Sequence, residues 1–323
     1  MARVALDAMG GDNAPDEIIA GGVAAAAAGH EVILVGEPSI IADRLSALGA
    51  DLPVVGAQQL IEMHEDPARA IREKPDASIA VAARLVRAGE ADALVSAGST
   101  GATLAAAAVF LRRLPGVLRP AVASIFPTPG SHTVVLDSGA NTECKPEHLV
   151  QFGVMGAVVA ELYLGVPRPR VGLLNIGEEE GKGRDLEKAA YELFRSTSLN
   201  FIGNVEGRDL ASDRADVFVT DGFTGNVLLK TTEGAVEFIA EFFRSALIKL
   251  PPEEVAALVP VMAEIRKSID HEEHGGGHLL GTHGVVVIAH GSSSRIAIAH
   301  AVRMAAEGAA RDLAGHVARR IST

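Results

Sequence analysis

The sequence predicts an α/β protein, a three-layer α/β/α sandwich built on a largely parallel sheet. Short apolar segments typical of buried strands alternate along the chain with longer amphipathic segments typical of helices. Most of the apolar segments end in glycine and small polar residues just before the next helical segment. Because parallel strands need a crossover connection, usually a helix, this alternation indicates helices on both faces of one sheet.

The predicted elements follow one another through almost the whole chain. Strands are expected at residues 4–6, 32–35, 53–55, 93–96, 121–126, 133–136, 171–175, 200–202, 217–220 and 284–289. Helices are expected at residues 16–28, 40–48, 78–87, 101–111, 146–164, 186–196, 233–249 and 293–314. The segment Pro-Thr-Pro-Gly at 127–130 has the composition of a turn, so the strands on either side of it are expected to be antiparallel.

The composition is that of a globular protein with a large core. The 323 residues are 48% hydrophobic and 22% charged, which is ordinary for such proteins. No proline-rich, serine-rich or charged linker divides the chain. Residues 1–323 are therefore expected to form a single unit of two lobes, with a helical excursion at 233–270 that contains no strand.

Charge and cysteine content exclude several classes of protein. The net charge of −12 and the absence of tryptophan argue against nucleic-acid binding, which relies on basic surfaces and aromatic stacking. The chain starts with a strand pattern followed by aspartates, which does not resemble a signal peptide. The apolar run at 102–111 is too short to span a bilayer. Cys144 is the only cysteine, so no intrachain disulfide is expected and a reducing cytoplasm fits.

Five loops that follow predicted strands share one composition, and they predict a binding site. Each combines glycine with Asp, Asn, Ser or Thr, and the loops lie at 7–12, 96–102, 137–141, 177–183 and 220–226. Glycine lets the backbone approach a ligand closely, and free N–H groups at a helix start attract anions. We expect all five loops at one edge of the sheet, around a small anion. The residues expected to contact substrate or phosphate are Asp7, Gly98, Ser99, Thr100, Gly101, Asn141, Gly177, Gly181 and Asp221.

The loop at 177–183 carries the lysine of this predicted site. Its sequence, Gly-Glu-Glu-Glu-Gly-Lys-Gly, is not a nucleotide P-loop, which needs four residues between its glycines and Ser or Thr after the lysine. Three carboxylates would also repel a triphosphate. The ligand is therefore expected to carry less negative charge than ATP, and Lys182 to face it.

The five loops, in this order, resemble those of the phosphate acyltransferase family of bacterial phospholipid synthesis. The most specific part of the resemblance is Asn-Ile-Gly-Glu-Glu-Glu-Gly-Lys-Gly at 175–183 combined with Asp-Gly-Phe-Thr-Gly-Asn at 221–226. The resemblance implies a fold like that of isocitrate dehydrogenase and phosphotransacetylase. It also implies transfer of a fatty acyl group from acyl carrier protein to inorganic phosphate, without metal or organic cofactor. One departure is visible, because the family usually has Tyr-Gly-Gly-Ala-Pro-Leu-Leu-Gly where this chain has His-Gly-Gly-Gly-His-Leu-Leu-Gly at 274–281.

The resemblance also implies residue roles and partners. It assigns catalysis to Lys182 and Asn226, the amide of which can donate to the oxyanion. It implies a homodimer at the inner face of the plasma membrane, from which the excursion projects as a helical hairpin. The hairpin residues expected to touch the membrane are Leu258, Val259, Val261 and Met262. An acidic carrier protein would need a basic patch, which we expect at Arg112, Arg113 and Arg119.

Alternatives remain at each of these points. Lys182 could be a solvated lysine paired with its neighbouring glutamates, Asn226 a helix-capping residue, and the hairpin run a dimer-core contact. His290 could face the site or cap a turn, whereas Cys144 is interpreted as structural. His271, His274 and His278 are interpreted as part of a flexible polar loop, because the three glycines between the last two would prevent fixed metal geometry.

Three other functions remain open at this stage. The first is a phosphotransacetylase-like enzyme that uses acyl-CoA, and the second is a non-catalytic scaffold that binds carrier protein at the membrane. The third, an isocitrate-type dehydrogenase, is disfavoured because the chain has no G-x-G-x-x-G fingerprint.

Overall fold

The computed structural model describes residues 1–128, 131–269 and 276–322. Within these ranges, eleven strands form one sheet. The strands are β1 (Arg3–Asp7), β2 (Glu31–Gly36), β3 (Val54–Gly56), β4 (Ala93–Ser96), β5 (Ala121–Thr128), β6 (Ser131–Leu136), β7 (Arg170–Leu174), β8 (Asn200–Val205), β9 (Val217–Val219), β10 (Gly277–Leu280) and β11 (Val285–Ile288). Their order across the sheet is β3-β2-β1-β4-β11-β10-β5-β6-β9-β7-β8.

Helices connect most of these strands. They are α1 (Asp16–Ala27), α2 (Pro38–Leu48), α3 (Pro67–Glu73), α4 (Ser78–Ala88), α5 (Thr100–Ala106), α6 (Pro146–Val159), α7 (Asp185–Arg195), α8 (Gly222–Leu247), α9 (Pro252–Ile269), α10 (Arg295–Ala310) and α11 (Leu313–Ile321). Short π-helical segments, Ala107–Leu111 and Ala160–Leu164, extend α5 and α6. Among the described residues, no helix has the length and apolarity needed to cross a bilayer.

Alternation along the strands produces the three layers. In β1, Val4 and Leu6 belong to an apolar cluster shared with α1, α6 and α10, whereas Ala5 belongs to a cluster on the opposite face, shared with α4 and α5. Because successive side chains of a strand point to opposite faces, helices cover the sheet on both sides. Seven of the ten strand pairings are parallel and three are antiparallel. The predicted sandwich with a largely parallel sheet is therefore confirmed, as is the antiparallel pair β5–β6.

The expectation that all five loops lie at one edge of the sheet is wrong. The three antiparallel pairings all lie in the middle of the sheet, where β10 pairs with β11 and β5, and β5 pairs with β6. Strands β1, β4 and β11 therefore run in one direction, and β6, β9 and β7 run in the other. The loops after β1 and β4 point one way along the sheet, and the loops after β6, β7 and β9 point the opposite way.

The register of the central strands nevertheless brings the two sets of strand ends to the same level. Ser96 at the end of β4 pairs with Ile288 at the end of β11, which pairs with Gly277. Gly277 pairs with Ser124, whose other neighbour is Val135. Strand β6 ends one residue after Val135. Loops from both halves therefore meet over β10 and β5, in the centre of the sheet.

Several predicted elements differ from the structure, and two of these differences bear on the site. The helix expected at 233–249 begins eleven residues earlier, at Gly222, where Asp221 caps it by accepting a hydrogen bond from the Thr224 amide. The segment at 277–280, expected to belong to a flexible polar loop, is the central strand β10. His271 and His274, which were predicted in the same loop, lie outside the described residues.

His278 is the most unusual residue of β10. Its side chain is only 1% exposed, and its ring packs 4.9 Å, between centroids, from the ring of Tyr163. Neither ring nitrogen has a hydrogen-bond partner among the described residues. Burial lowers the pKa of His278 to about 3, because the charged imidazolium would be desolvated. The imidazole is thus neutral in the folded protein at neutral pH.

This histidine predicts acid sensitivity of the fold. In the unfolded chain His278 has a pKa of about 6.5, so the unfolded state binds a proton that the folded state excludes. Stability is therefore full above about pH 6.5 and falls as the pH decreases, by about 2 kcal/mol at pH 5 from this residue alone. In His278→Leu this contribution is absent. The free energy of unfolding, measured in urea, should therefore fall less between pH 7.5 and pH 5 than it does in the wild-type protein. His283→Gln, at an exposed position, is the control, and equal pH dependence in both variants would contradict the prediction.

Candidate active site

A cavity of about 550 Å³ lies over the central strands, where the two sets of loops meet. Its volume is within the range of ligand sites, about 300–1,000 Å³. Its floor and apolar wall come from β5 and β10, and its polar lining comes from loops of both halves. The first half contributes Asp12, Gly98, Thr100, His290 and Ser292, and the second half contributes Ser138, Gly139, Asn226 and Lys230.

In the first half, Asp7 holds the loop after β4. Its carboxylate is buried and accepts a hydrogen bond of 2.7 Å from the Ser96 hydroxyl, the oxygen of which in turn accepts one from the Gly98 amide. Burial raises the pKa of Asp7, and the hydrogen bond from Ser96 opposes that rise. Asp7 therefore shapes the loop from within. Of the contacts predicted in this half, Gly98 and Thr100 line the cavity, whereas Asp7, Ser99 and Gly101 are not part of its lining.

In the second half, Asp137 has the equivalent role. Its side chain is fully buried and accepts hydrogen bonds from the backbone amides of Val122, Ala140 and Asn141, at 3.0, 3.0 and 2.7 Å. Burial raises the pKa of Asp137, and these donors oppose the rise. The predicted contact Asn141 also supports the loop, because its amide donates to Asp137 and to the Pro120 carbonyl.

Ser138 and Gly139, which the sequence reasoning did not select, are the residues of this loop that line the cavity. They lie within the glycine-rich loop at 137–141 that the sequence did single out. Composition locates such a loop, but it does not show which of its residues face the ligand.

Asn226 lies on the first turns of α8 and lines the cavity. A Cβ placed on Gly139 would be 3.7 Å from Asn226 Oδ1, so the loop after β6 and the amide are in contact distance. The Asn226 side chain has no hydrogen-bond partner among the described residues. Its amide is therefore free to donate into the cavity, and helix capping, the alternative role, belongs to Asp221.

Asp221 is an internal residue of the site. It is 2% exposed and accepts hydrogen bonds from the Thr224 amide, the Thr224 hydroxyl and the Arg184 guanidinium. Burial alone would raise the pKa of Asp221, but the hydrogen bonds from Thr224 and Arg184 together lower it. The carboxylate therefore stays ionised, joins the start of α8 to the loop before α7, and does not line the cavity.

The lysine loop after β7 is held by side chains around it. Asn175 donates to the Lys182 carbonyl at 3.1 Å, and Asn204 donates to the Glu179 carbonyl at 2.8 Å. Lys182 itself is half exposed and does not line the cavity, and neither do Gly177 and Gly181. The structure thus joins this segment to the start of α8 through Arg184 and Asp221, and it does not bring Lys182 into the cavity wall.

The three glutamates of the lysine loop are paired unequally. Glu178 forms an ion pair of 2.6 Å with Arg214, and Glu180 lies 3.7 Å from Arg195. Only Glu179 approaches Lys182, at 4.0 Å and with both side chains largely exposed. Ion pairs of this kind are worth little, so Lys182 remains available to another anion.

Two remaining side chains have definite surroundings. Burial raises the pKa of the Cys144 thiol to about 12, so it is a thiol at neutral pH, as its structural interpretation requires. His290 lines the cavity and its Nδ1 lies 2.8 Å from the Ser292 hydroxyl. Among the described residues, no three His, Cys, Asp or Glu side chains are grouped as metal ligands would be.

The chain is similar along nearly its whole length to proteins of one family. Residues 2–315 match the family described as fatty acid synthesis protein. Two proteins named phosphate acyltransferase, from Desulfitobacterium hafniense and Desulforudis audaxviator, are each 48% identical to this chain. The alignments cover 95% and 98% of this chain, and 93% and 95% of the two relatives. The chain belongs to this family. The predicted phosphate acyltransferase family, and with it an acyltransferase enzyme, is therefore confirmed.

Solved structures of much lower sequence identity share the fold of this chain. A phosphotransacetylase from Streptococcus pyogenes has a TM-score of 0.66 at 17% identity. The match covers 96% of this chain and 94% of the phosphotransacetylase chain. A phosphotransacetylase from Staphylococcus aureus has a TM-score of 0.63 at 16% identity, with 95% and 94% coverage. These similarities confirm the predicted phosphotransacetylase-like fold.

Proposed function

We propose that this chain transfers a fatty acyl group from acyl carrier protein to inorganic phosphate and releases acyl phosphate. The observation that carries the proposal is its 48% identity, over nearly the full length of both chains, to relatives named phosphate acyltransferase. The polar, loop-lined cavity supports it, because such a cavity can hold a small anion beside an apolar wall.

Phosphate is itself an oxygen nucleophile, so the reaction needs no acyl-enzyme. A phosphate oxygen attacks the thioester carbonyl carbon, the carbon–oxygen bond forms, and the carbon–sulfur bond breaks. The electron pair leaves on sulfur, as the thiolate of the carrier. The enzyme must hold the two reactants together and stabilise the tetrahedral oxyanion.

We assign these tasks to the predicted catalytic pair. The free amide of Asn226 donates to the oxyanion, because it faces the cavity without another partner. Lys182 supplies positive charge from the adjacent loop, since arginines outside the loop pair with two of its three glutamates. Thr100 and the backbone of Gly98 and Gly139 contact the substrates. Asp7, Asn141 and Asp221 contribute by fixing the loops.

Product formation separates the proposal from its alternatives. Purified protein is incubated with phosphate and either acyl-acyl carrier protein or acyl-CoA, and acyl phosphate is measured. Acyl phosphate from the carrier-protein donor is the expected result. Product from acyl-CoA alone would favour a phosphotransacetylase-like enzyme, and no product from either donor would leave the non-catalytic scaffold.

We propose Arg112, Arg113 and Arg119 as the docking patch for acyl carrier protein. All three side chains are exposed on a protein of net charge −12, so they form a local basic region that an acidic partner could recognise. Arg113 is held in place, because its guanidinium donates to the carbonyls of Val117 and Leu118. A preorganised guanidinium loses less entropy when a carboxylate binds.

We also propose that the chain forms a homodimer in the cytoplasm and contacts the inner face of the plasma membrane. Only Gly222 and Gly225 are buried on α8, whereas four large apolar residues farther along it are more than half exposed: Phe238, Ile239, Phe242 and Phe243. An apolar face of this size on one chain fits a partner surface, here a second copy. On α9, Leu258, Val259 and Val261 are 40%, 54% and 55% exposed, and Met262 is half-buried.

The membrane role predicts the behaviour of the double variant Val259→Asp/Met262→Asp. It is expected to lose co-sedimentation with liposomes, because two carboxylates would have to enter the interface, and to keep its activity on soluble substrates. The double variant Val259→Ser/Met262→Ser, without charge, is the control and should bind partially. If the aspartate variant becomes monomeric or unfolds, these side chains belong to the dimer interface and the membrane role fails.

A further inference from the structure

The cavity contains a lysine that the loop at 177–183 does not provide. Lys230 lies on α8 one helical turn after Asn226, and both residues line the cavity. Residues four positions apart lie on the same face of a helix, about 6 Å along its axis. The flexible Lys230 side chain can therefore bring its ammonium group close to the space in front of the Asn226 amide.

Lys230 has no fixed electrostatic partner in this position. Its side chain is exposed to the cavity, and it forms no ion pair or hydrogen bond with any residue of the described ranges. Three acidic residues also line the cavity: Asp12, on the loop after β1, and Glu233 and Glu237, about one and two helical turns after Lys230 on α8. None of these carboxylates forms an ion pair with Lys230 in the described ranges, so its ammonium group is available to another anion.

A phosphate ion in this cavity needs a positive group beside it. The apolar wall of Val122, Ile125 and Phe126 offers no hydrogen bonds to a dianion, and a carboxylate would repel it. The neutral donors that line the cavity include Asn226 and Thr100. Among the described residues, Lys230 is the one lysine or arginine that lines the cavity.

We propose that Lys230 binds the phosphate substrate and holds it for attack on the thioester. The inference rests on the proposed acyl transfer to phosphate, and it divides the work within the cavity. Asn226 donates to the oxyanion that forms on the acyl carbon, and Lys230 pairs with the oxygens of the nucleophile. In this role Lys230 transfers no proton and forms no bond to the acyl group.

The test is a kinetic comparison of Lys230→Ala with the wild-type protein. Lys230→Ala is expected to raise the KM for phosphate about 10- to 100-fold, as for the loss of a hydrogen bond to a charged group, with no more than a small change in KM for the acyl donor. Lys230→Arg keeps the charge and should recover most of the phosphate affinity. Lys249→Ala removes the same charge from an exposed position outside the cavity lining and should behave as wild type.

A binding measurement without turnover supports the kinetic one. Phosphate should raise the unfolding temperature of the wild-type protein and of Lys249→Ala, and should have less effect on Lys230→Ala at the same concentration. A KM for phosphate within twofold of wild type in Lys230→Ala would overturn the inference, as would equal phosphate protection. If the wild-type protein makes no acyl phosphate, the proposed function fails first, and phosphate protection alone then decides whether Lys230 binds the anion.

Discussion

Asn226→Ala is expected to lower kcat by about 100- to 1,000-fold while the protein remains folded. The amide faces the cavity, has no hydrogen-bond partner among the described residues, and lies next to Gly139 on the loop after β6. A donor fixed in advance toward the developing oxyanion stabilises the transition state more than the ground state, which is why its removal lowers kcat. The same loss should appear in kcat/KM, with little change in the KM values.

The comparison needs variants that separate charge, shape and folding. Asn226→Asp keeps the shape but replaces the donor with an acceptor, so it should be as inactive as Asn226→Ala. Lys182→Ala is also expected to abolish turnover without unfolding, because the residue lies on a loop outside the apolar core. The activity is measured as acyl phosphate formed per enzyme, and circular dichroism checks the fold. Near-normal turnover in Asn226→Ala would refute the oxyanion role, and near-normal turnover in Lys182→Ala would refute that of the lysine.

The fold class could be predicted because it depends on patterns that local sequence carries. The apolar runs that predicted strands at 4–6, 93–96 and 171–175 correspond to β1, β4 and β7 in the structure. Strand direction is not a local property. It depends on β10 and β5, which pair antiparallel with their neighbours and reverse the second half of the sheet. The histidines and glycines around β10 are typical of a loop, so this strand was not predicted. Without the reversal that β10 and β5 introduce, all five loops were expected at one edge.

Four of the five loops selected by composition contribute residues to the cavity lining, but composition did not show which residues those are. In a glycine-rich loop an aspartate can either face a ligand or bond back to nearby N–H groups, and both cases have the same composition. Asp7 and Asp221 were predicted to contact substrate, yet both are buried and support the loops from within. Lys230 was not selected because the helix was expected to begin at residue 233. Positions 226 and 230 were therefore not recognised as neighbours on one helix face.

Gly225→Ala is expected to destabilise the protein and to reduce its activity together. A Cβ on Gly225 would lie 1.9 Å from the Asp137 carbonyl oxygen, a backbone atom of the loop that hydrogen bonds to the buried Asp137 carboxylate hold in place. The start of α8 would have to move away from this loop, and forced overpacking of this kind costs about 3 kcal/mol. Because Asn226 is the next residue, a displacement of about 1 Å would lower turnover a further 100-fold.

Gly234→Ala on the same helix is the matched control. Gly234 is exposed, and a Cβ there would meet nothing within 4 Å, so the substitution should raise the free energy of unfolding by about 0.5–1 kcal/mol through helix propensity alone. Urea unfolding measures both variants, and acyl phosphate formation is compared at a temperature where each is folded. A stable and fully active Gly225→Ala protein would show that α8 tolerates a side chain against the Asp137 loop. The close approach of helix and loop would then not be what positions Asn226.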